Sequence, residues 1–467
     1  MAMEARKPRL ALLGLMTDGY EATFPGIIER QTKYARELVT TISQVADVSF
    51  DGIGLNRQSI ETLVAGYNAA NLDGMVIVLL AYSQGAYLTR ALENNRLPLA
   101  LAVVQPDQEV GDDWVELDLT VNQGIHGAQD NANIINKSGV PCQFFAGNRH
   151  EGRFIEFIED FAKACYARAT LKGMRTAAFS RMCGMGDILT DEFAFTRIIG
   201  PEVCHDTIGS IASRMQSVSA EAIDAQIEKD RSIHAVDERL SYKAHAEAVR
   251  MYLAFQAYLK DRGYDAFTAH FDQFADDGRF KQLPLYAASN LLAEGYGYAA
   301  EGDYMCASMV AAAGALADRD ANFTEMYAMD FAKKAIIFCH AGEGNWATHR
   351  KDRKVRLIDR YLGEGGLGNP PTHIFTPQPG RATLTSLVYA GEGKFRLVLA
   401  MGDILPKADL TGCEMPYFFW RPDSGIEPCV EAWLKNGGTH HEVINLGDVR
   451  SRWRMLCAML GVEFVEV

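Results

Sequence analysis

Short apolar segments alternate with amphipathic segments throughout the first 170 residues, and this alternation restricts the folds that the chain can adopt. The apolar segments are continuous, as in strands buried on both faces, and are predicted to be strands: residues 9–16, 47–50, 74–80, 97–104 and 142–146. The segments between them are predicted to be helices: residues 25–44, 57–70, 84–95, 123–138 and 151–170. This spacing predicts a doubly wound parallel sheet in an N-terminal α/β domain over residues 1–170.

The alternation continues in weaker form over residues 171–319, which predict a second, central α/β domain. Strands are predicted at residues 174–180 and 265–270. Helices are predicted between and after them, at residues 218–231, 240–261 and 284–294. A chain of 467 residues is long enough for two or three domains of ordinary size.

From about residue 320 the apolar segments become short and closely spaced, and glycine and proline cluster between them. This pattern is typical of antiparallel sheets, with strands predicted at residues 335–339, 372–376, 383–389 and 395–400. A helix at residues 449–460 and a strand at 463–467 close the sequence. Residues 320–467 are therefore expected to form a C-terminal, mainly antiparallel, β-barrel-like domain.

Charge and cysteine usage exclude several classes of partner. The formal net charge is -14, and an acidic surface repels nucleic acid and anionic lipid, so neither is expected as a partner. No apolar run is long enough to span a bilayer, and the first apolar run is interpreted as a buried strand rather than a signal peptide. The nine cysteines are scattered without a CxxC pair, which favours a reduced, cytoplasmic chain.

Two glycine-rich segments and one cysteine give only weak indications of a site. The pair Gly184 and Gly186 begins a GxGxxG pattern that is not completed, and residues 363–368 precede no predicted helix, so dinucleotide binding is not indicated. No GxSxG segment is present. Cys339 beside His340 is better interpreted as a buried cysteine than as a nucleophile.

Three segments combine carboxylates or histidines with glycine: AEGYGYAAEGD at residues 293–303, CHAGEGN at 339–345 and GGTHHE at 437–442. Glycine beside a polar side chain lets the backbone approach a small substrate or ion closely. Carboxylates and imidazoles together suit a divalent ion such as Mn²⁺, Co²⁺ or Mg²⁺. Taken alone, a segment of this kind is more often an ordinary loop, and its histidine is more often packed or solvated than a ligand. The order of the three segments and the sequence around them therefore decide whether they form a site.

That context is a resemblance to a known family. Residues 280–303, FKQLPLYAASNLLAEGYGYAAEGD, closely resemble the stretch of L-arabinose isomerases in which KQLPG is followed by a DGYGF-like turn and a GEGD loop. Other similar motifs stand in the same order: NQGIHG at 122–127, AFTAHFDQF at 266–274, FTEMY at 323–327, the His-x-x-Glu of 340–343, LGEGG at 362–366 and GGTHH at 437–441. The chain is therefore identified as a member of the L-arabinose isomerase family over nearly its whole length.

The resemblance implies a metal-dependent aldose–ketose isomerase in which two Glu and two His hold a divalent ion, with Mn²⁺ expected first and Co²⁺ or Mg²⁺ as alternatives. Carried over to this sequence, Glu301 and Glu343 are expected to be both ligands and proton carriers, and His441 a third ligand. The family's remaining ligand His is placed just before LGIGG, where Tyr361 stands here. Tyr361 is expected to leave its place to water or to point its phenol at the substrate, and His340 or His349 could complete the shell.

The chemistry explains these residue types independently. In an aldose–ketose interconversion through an enediol, a proton leaves C2 and arrives at C1. A metal that chelates the two oxygens stabilises the enediolate, and a carboxylate on each side of the reacting carbons can act as base and then as acid. Two carboxylates near one cation stay mostly ionised because the cation offsets their repulsion.

The resemblance also concerns the sugar and the assembly. Phe271 is expected to shape the sugar pocket, with plain core packing as the alternative, and His126 to contact the substrate, with a helix-cap role as the alternative. The family resemblance implies a homo-oligomer, either trimer-based, up to a hexamer, or a tetramer, in which His126 reaches the substrate of a neighbouring subunit. Its GSQH-like run is LMTD here, at residues 15–18, so one pocket wall has changed.

Together with Tyr361, this change leaves the substrate open. Another pentose, a deoxysugar, a tetrose or a modified hexose is the alternative to L-arabinose, which is not expected to be the best substrate. A non-catalytic sugar-binding relative that has lost its metal is the second alternative.

Overall fold

The computed structural model describes residues 6–362, 366–406 and 409–467. The chain divides into two compact units. The N-terminal unit comprises residues 6–169 together with 451–459, and the main unit comprises residues 170–450 and 460–467. The residues on both sides of position 320 belong to the main unit, whereas part of the last helix belongs to the N-terminal unit.

The N-terminal unit contains a parallel sheet in the order β2-β1-β4-β5-β6, with β3 also paired to β1. Its strands are β1 Arg9–Leu15, β2 Asp47–Ser49, β3 Ile53–Gly54, β4 Gly74–Leu79, β5 Leu99–Val103 and β6 Cys142–Ala146. Its helices are α1 Tyr20–Thr23, α2 Ile27–Ile42, α3 Arg57–Ala69, α4 Thr89–Glu93, α5 Glu116–Asn122, α6 Gly124–Lys137 and α7 Gly152–Gly173, which runs on into the main unit.

The continuous apolar segments form the centre of this sheet. Every residue of β4 is buried, and so is β1 after its first residue, because helices cover the sheet. Helix α2 buries Tyr34, Leu38 and Ile42, which lie on one face at helical spacing. The doubly wound parallel sheet predicted from the sequence is confirmed.

The main unit begins with a second parallel sheet in the order β11-β10-β7-β8. The strands in this region are β7 Arg175–Phe179, β8 Glu202–His205, β9 Ala235–Val236, β10 Ala266–Ala269 and β11 Gly297–Ala300. The helices are α8 Glu192–Ile198, α9 Ile208–Met215, α10 Ala220–Ile233, α11 Tyr242–Arg262, α12 Asp272–Asp277, α13 Leu285–Glu294 and α14 Tyr304–Leu316.

The rest of the main unit is built around a closed antiparallel barrel in the order β16-β19-β12-β13-β18-β17, in which β17 pairs back to β16. The elements are β12 Ala321–Asp330, β13 Ala335–Cys339, β14 Arg356–Asp359, β15 Pro371–Ile374, β16 Gly380–Gly391, β17 Lys394–Ile404, β18 Tyr417–Pro422, α15 Ile426–Lys435, β19 Glu442–Leu446, α16 Arg450–Leu460 and β20 Glu463–Glu466. Strand β20 adds to β17, and β15, β14 and β9 form a small separate sheet.

The barrel interior is apolar and aromatic. Phe338, Phe418 and Trp420 pack together with Leu384 and Val398, and all five are buried. The expected C-terminal, mainly antiparallel, barrel-like domain is therefore confirmed. None of the helices in the described residues is long and apolar enough to cross a membrane.

Helix α14 joins the central sheet to the barrel. All of its residues except Gly314 are buried, because α14 contacts β11 and β10 of the sheet as well as β12 and β19 of the barrel. The helix approaches β11 closely at Gly297, where an added Cβ would lie 2.1 Å from the carbonyl oxygen of Ala307. The end of β11, the start of α14 and the barrel strands β12 and β19 are thereby held together.

Gly297→Ala should lower the free energy of unfolding by about 1–3 kcal/mol, because the new methyl group overlaps backbone that cannot move without separating α14 from the sheet. Urea denaturation measures this change. Gly412→Ala is the matched control, since an added Cβ there meets no atom within 4 Å. Equal stability of the two variants would show that the approach of α14 to β11 tolerates a larger spacing.

Candidate metal and active site

Four side chains from separate segments of the main unit converge at one end of the barrel. The Nε2 atom of His441 lies 3.4 Å from Oε2 of Glu301 and 3.3 Å from Oε1 of Glu325. The Nε2 atom of His340 lies 3.5 Å from the same oxygen of Glu325. Glu301, Glu325, His340 and His441 are called the Glu–His cluster below.

Glu301 follows β11 at the carboxyl edge of the central sheet. Its backbone N–H donates to the carbonyl of Ala269 at 2.9 Å, and its carbonyl accepts from the N–H of Met182 at 2.9 Å. The next residue, Gly302, has a φ of 90°, and a Cβ there would lie 2.3 Å from Cα of Arg181. Glycine is therefore required for the turn that holds Glu301 at this edge.

The strand register of the barrel places the other three members. Glu325 on β12 pairs with Cys339, and His340 is the next residue after that partner. Thr324 pairs with Glu442 on the other side of β12, and His441 immediately precedes Glu442. The neighbouring strands β13, β12 and β19 therefore bring His340, Glu325 and His441 to the same end of the barrel.

A carboxylate fixes each imidazole of the cluster. The Nδ1 atom of His441 hydrogen-bonds to Oδ2 of Asp303 at 2.9 Å, and Nδ1 of His340 to Oε2 of Glu343 at 2.8 Å. The other oxygen of Asp303 accepts from the N–H of Cys306 at 2.9 Å and so caps α14. Because Nδ1 is occupied in both rings, Nε2 is the nitrogen that each presents to the cluster.

The pKa values of the cluster reflect this pairing. Burial alone would lower the pKa of His441, but the carboxylates of Asp303, Glu301 and Glu325 raise it well above its usual value. The pKa of His340 is also raised, because Glu343 outweighs the effect of burial. Burial acts to raise the pKa of Glu301, but neighbouring His441 lowers it, so this carboxyl group is ionised.

The residues present fit a divalent cation. The Nε2 atom of His441 is buried and has no hydrogen-bond partner in the described part of the chain, so it is available as a ligand. Potential ligand atoms of Glu325, His340 and His441 all lie within 4.8 Å of one another. Two imidazole nitrogens with two carboxylates are a donor set for Mn²⁺ or Co²⁺. Four carboxylates around two imidazoles, including those of Asp303 and Glu343, leave negative charge that a cation balances.

The cluster opens into a cleft of about 380 Å³. A second cleft, of about 410 Å³, lies elsewhere in the main unit. The volume of the first cleft is within the range of small-molecule sites. Its lining includes Met182, His270, Phe271, Asp272, Leu283, Glu301, Glu325, Tyr327, His340 and Ala341. The cluster is therefore accessible to a small substrate from one side and enclosed by barrel strands on the other.

The structure brings together Glu301 and His441, two of the residues expected from the sequence, and places two others differently. Both carboxylate oxygens of Glu343 are already engaged, one by Nδ1 of His340 and the other by the hydroxyl of Tyr298 at 2.7 Å. Tyr361 is 80% exposed and is not among the described residues that line the cleft. His340, considered from the sequence as a substitute ligand, is in the cluster.

Glu325 is a member of the cluster that the sequence did not indicate as a ligand, although it lies in the FTEMY motif of residues 323–327. Phe271 lines the cleft, with its ring centroid 6.3 Å from that of His340. His349 bonds through Nδ1 to the carbonyl of Trp346 at 2.9 Å. His126 lies in the N-terminal unit, where its ring stacks on Tyr82 at 4.7 Å. The LGEGG motif cannot be placed, since residues 363–365 lie outside the described residues.

Two models of one protein family match the central and C-terminal parts of the chain. The family model described as "L-arabinose isomerase central domain" matches residues 189–319, and the one described as "L-arabinose isomerase C-terminal domain" matches residues 320–463. An L-arabinose isomerase from Nocardioides sp. is 26% identical over 84% of this chain and 80% of its own length. L-arabinose isomerase 1 from Bacillus licheniformis is 24% identical over 94% of this chain and 92% of its own length.

The two family models together match more than half of the chain, and the similarity to the relatives extends over most of both sequences. These matches define the class of protein, which is an enzyme, an aldose–ketose isomerase. The chain belongs to the L-arabinose isomerase family.

Asp303 has two roles that substitution can separate. Asp303→Ala should lower the free energy of unfolding by about 0.5–2 kcal/mol, because α14 loses its cap. Asp303→Asn keeps a capping oxygen and should recover most of that stability. If the cluster holds Mn²⁺, both variants should bind it about 10–100-fold more weakly, because His441 loses the carboxylate that orients it. Calorimetric titration with Mn²⁺ and urea denaturation measure the two effects. An Asn variant with unchanged affinity would contradict the orienting role.

Proposed function

We propose that this isomerase depends on a divalent metal ion held by Glu301, Glu325, His340 and His441. The observation that carries the proposal is the convergence of these four side chains around the unpartnered, buried Nε2 atom of His441. Mn²⁺ is the first candidate, with Co²⁺ or Mg²⁺ as alternatives. When bound, such an ion supplies Lewis-acid stabilisation of the negative charge that develops on the two sugar oxygens.

Glu301 and Glu325 carry the proton transfer in this proposal. Both line the cleft, so their carboxylates can reach a bound sugar, and one takes the proton from C2 while the other delivers a proton to C1. Burial acts to raise the pKa of Glu301, but His441 lowers it, and the resulting ionised form is the one that can act as a base.

Glu343 takes a supporting role rather than the role of ligand and proton carrier expected from the sequence. Its carboxylate lies behind His340 and is only 1% exposed, so it orients that ring and has no access to a sugar in the cleft. Burial acts to raise the pKa of Glu343, but the neighbouring His340 and the hydrogen bond from Tyr298 lower it. An ionised Glu343 accepts the Nδ1–H of His340 and keeps Nε2 free for the metal.

The substrate proposed is a free aldopentose, with L-arabinose as the first candidate because the relatives named above are L-arabinose isomerases. The sequence-based argument for a different sugar depended partly on Tyr361, and the exposed position of that side chain removes this support. Phe271 lines the cleft and is proposed to shape the sugar pocket.

The family resemblance supports two further proposals, and the cysteines support a third. His126 is proposed to contact the sugar, and the enzyme to be a homo-oligomer, either trimer-based, up to a hexamer, or a tetramer. All nine cysteines lie in the described part of the chain as free thiols, which supports a location in the cytoplasm.

Ketose formation from a panel of aldoses tests the proposed function. The panel contains L-arabinose, the other aldopentoses, a deoxysugar, a tetrose and a hexose, each assayed with Mn²⁺ and after exhaustive chelation. L-arabinose should give the highest kcat/KM, and chelation should abolish turnover until Mn²⁺ is restored. Full activity in chelator would exclude the metal, whereas another leading aldose would overturn only the assignment of the substrate.

Variants of the two carboxylates test the assignment of roles. Glu325→Gln should lose at least 100-fold in kcat and most of its bound metal, because it removes both a ligand and a proton carrier. Glu343→Gln should lose about 10–100-fold in metal affinity but recover turnover at saturating Mn²⁺, because only the support of His340 is weakened.

Tyr361→Phe is the control and should match the parent enzyme, because this side chain is exposed. Elemental analysis and steady-state kinetics supply both readouts. If Glu343→Gln stays inactive at saturating metal while Glu325→Gln turns over normally, the two roles must be exchanged.

A further inference from the structure

The cleft contains an acid–base pair that the isomerisation step leaves unused. His270 follows β10, and Ala269 pairs with Ala300, so the parallel register places His270 beside Glu301 at the same edge of the central sheet. Asp272 begins α12 two residues later, and both His270 and Asp272 line the cleft. This pair is called the His–Asp pair below.

The imidazole of His270 has a carboxylate beside one ring nitrogen and no hydrogen-bond partner for the other among the described residues. Its Nε2 atom lies 3.3 Å from Oδ2 of Asp272, and its side chain is 14% exposed. Its Nδ1 atom is buried without a hydrogen-bond partner in the described residues, so Nε2 is the nitrogen available to a molecule in the cleft.

The reaction requires a second proton transfer besides the one between C2 and C1. Free aldopentoses are mainly cyclic hemiacetals, whereas enediol formation needs an open chain with a carbonyl at C1. Opening the ring breaks the bond between C1 and the ring oxygen, makes the C1–O1 double bond, and moves one proton from O1 to the ring oxygen. An imidazole can take and return a proton near neutral pH, and a neighbouring carboxylate stabilises its charged form.

We propose that the His–Asp pair opens and closes the sugar ring, so that the enzyme also exchanges the anomers of its substrate. This inference rests on the proposed function for the identity of the sugar and of the cleft. His270 accepts the O1 proton at Nε2 and donates it to the ring oxygen, and Asp272 holds the imidazolium between the two transfers. Closure of the open chain on the opposite face of the carbonyl gives the other anomer, and no oxidant or reductant is involved.

Anomer exchange can be measured separately from isomerisation. The Glu325→Gln enzyme is mixed with the aldose that leads the substrate panel, and exchange between the anomeric C1 protons is measured by NMR saturation transfer. This variant should accelerate exchange at least tenfold above the spontaneous rate while forming no ketose. Adding His270→Gln should remove the acceleration, and adding Asp272→Asn should reduce it severalfold. Asp276→Asn, an exposed acid on the same helix, is the matched control and should change nothing.

Two controls separate ring opening from other roles of His270. The single variant His270→Gln should keep its bound Mn²⁺ and its unfolding midpoint but lose at least tenfold in isomerisation kcat. Loss of metal would make His270 part of the metal shell and overturn the proposal. The proposal would also be overturned if anomer exchange were equally fast with Glu325→Gln and with the Glu325→Gln/His270→Gln enzyme. It would be overturned too if Glu325→Gln itself did not accelerate that exchange. Continued ketose formation by Glu325→Gln would instead contradict the proposed function, while the effect of His270→Gln on exchange would still decide the ring-opening step.

Discussion

The hydrogen bond between Asp303 and His441 is the interaction on which the candidate site depends. Asp303 caps α14, and α14 is buried between the central sheet and the barrel, so the carboxylate has a fixed position and direction. The imidazole that it holds belongs to the barrel, just before β19. One bond therefore sets the distance between the sheet edge that carries Glu301 and the barrel strands that carry Glu325 and His340.

Charge is arranged around this bond in two layers. The inner layer consists of the Glu–His cluster, whose nitrogens and oxygens face a common point. The outer layer consists of Asp303 and Glu343, which are 3% and 1% exposed and whose oxygens are taken up by ring nitrogens, a helix cap and the hydroxyl of Tyr298. Buried carboxylates of this kind are stable only because each has donors on both oxygens, and this requirement keeps them from rotating into the cleft.

The sequence was sufficient for the fold classes and for part of the cluster. Continuous apolar runs such as residues 74–80 predict a strand covered on both faces, and β4 is one. Glu301 and His441 were recognisable because they lie in distinctive glycine-containing motifs, AEGD at residues 300–303 and GGTHH at 437–441. Glu325 was not recognisable, because it is one of several polar residues in an alternating strand. Only the pairing of β12 with β13 shows that it lies at the same end of the barrel as His340.

The same limit explains Glu343 and Tyr361. Both were placed by their distance along the chain from a motif, and that distance does not reveal that Glu343 lies behind the ring of His340 or that Tyr361 faces solvent. The central strands β8 and β11 were also missed, since their sequences, EVCH and GYAA, contain few large apolar or β-branched residues.

The separation of Glu301 and His441 along the sequence has a consequence for folding. The cluster requires the end of a parallel sheet and three strands of a closed barrel, so its donors can meet only after β19 has entered the barrel, late in the chain. Such non-local contacts form slowly. A cation that binds this arrangement and not the unfolded chain would shift the equilibrium toward the finished barrel. The supply of metal during synthesis would then influence how much of the chain reaches its native state, apart from any influence on turnover.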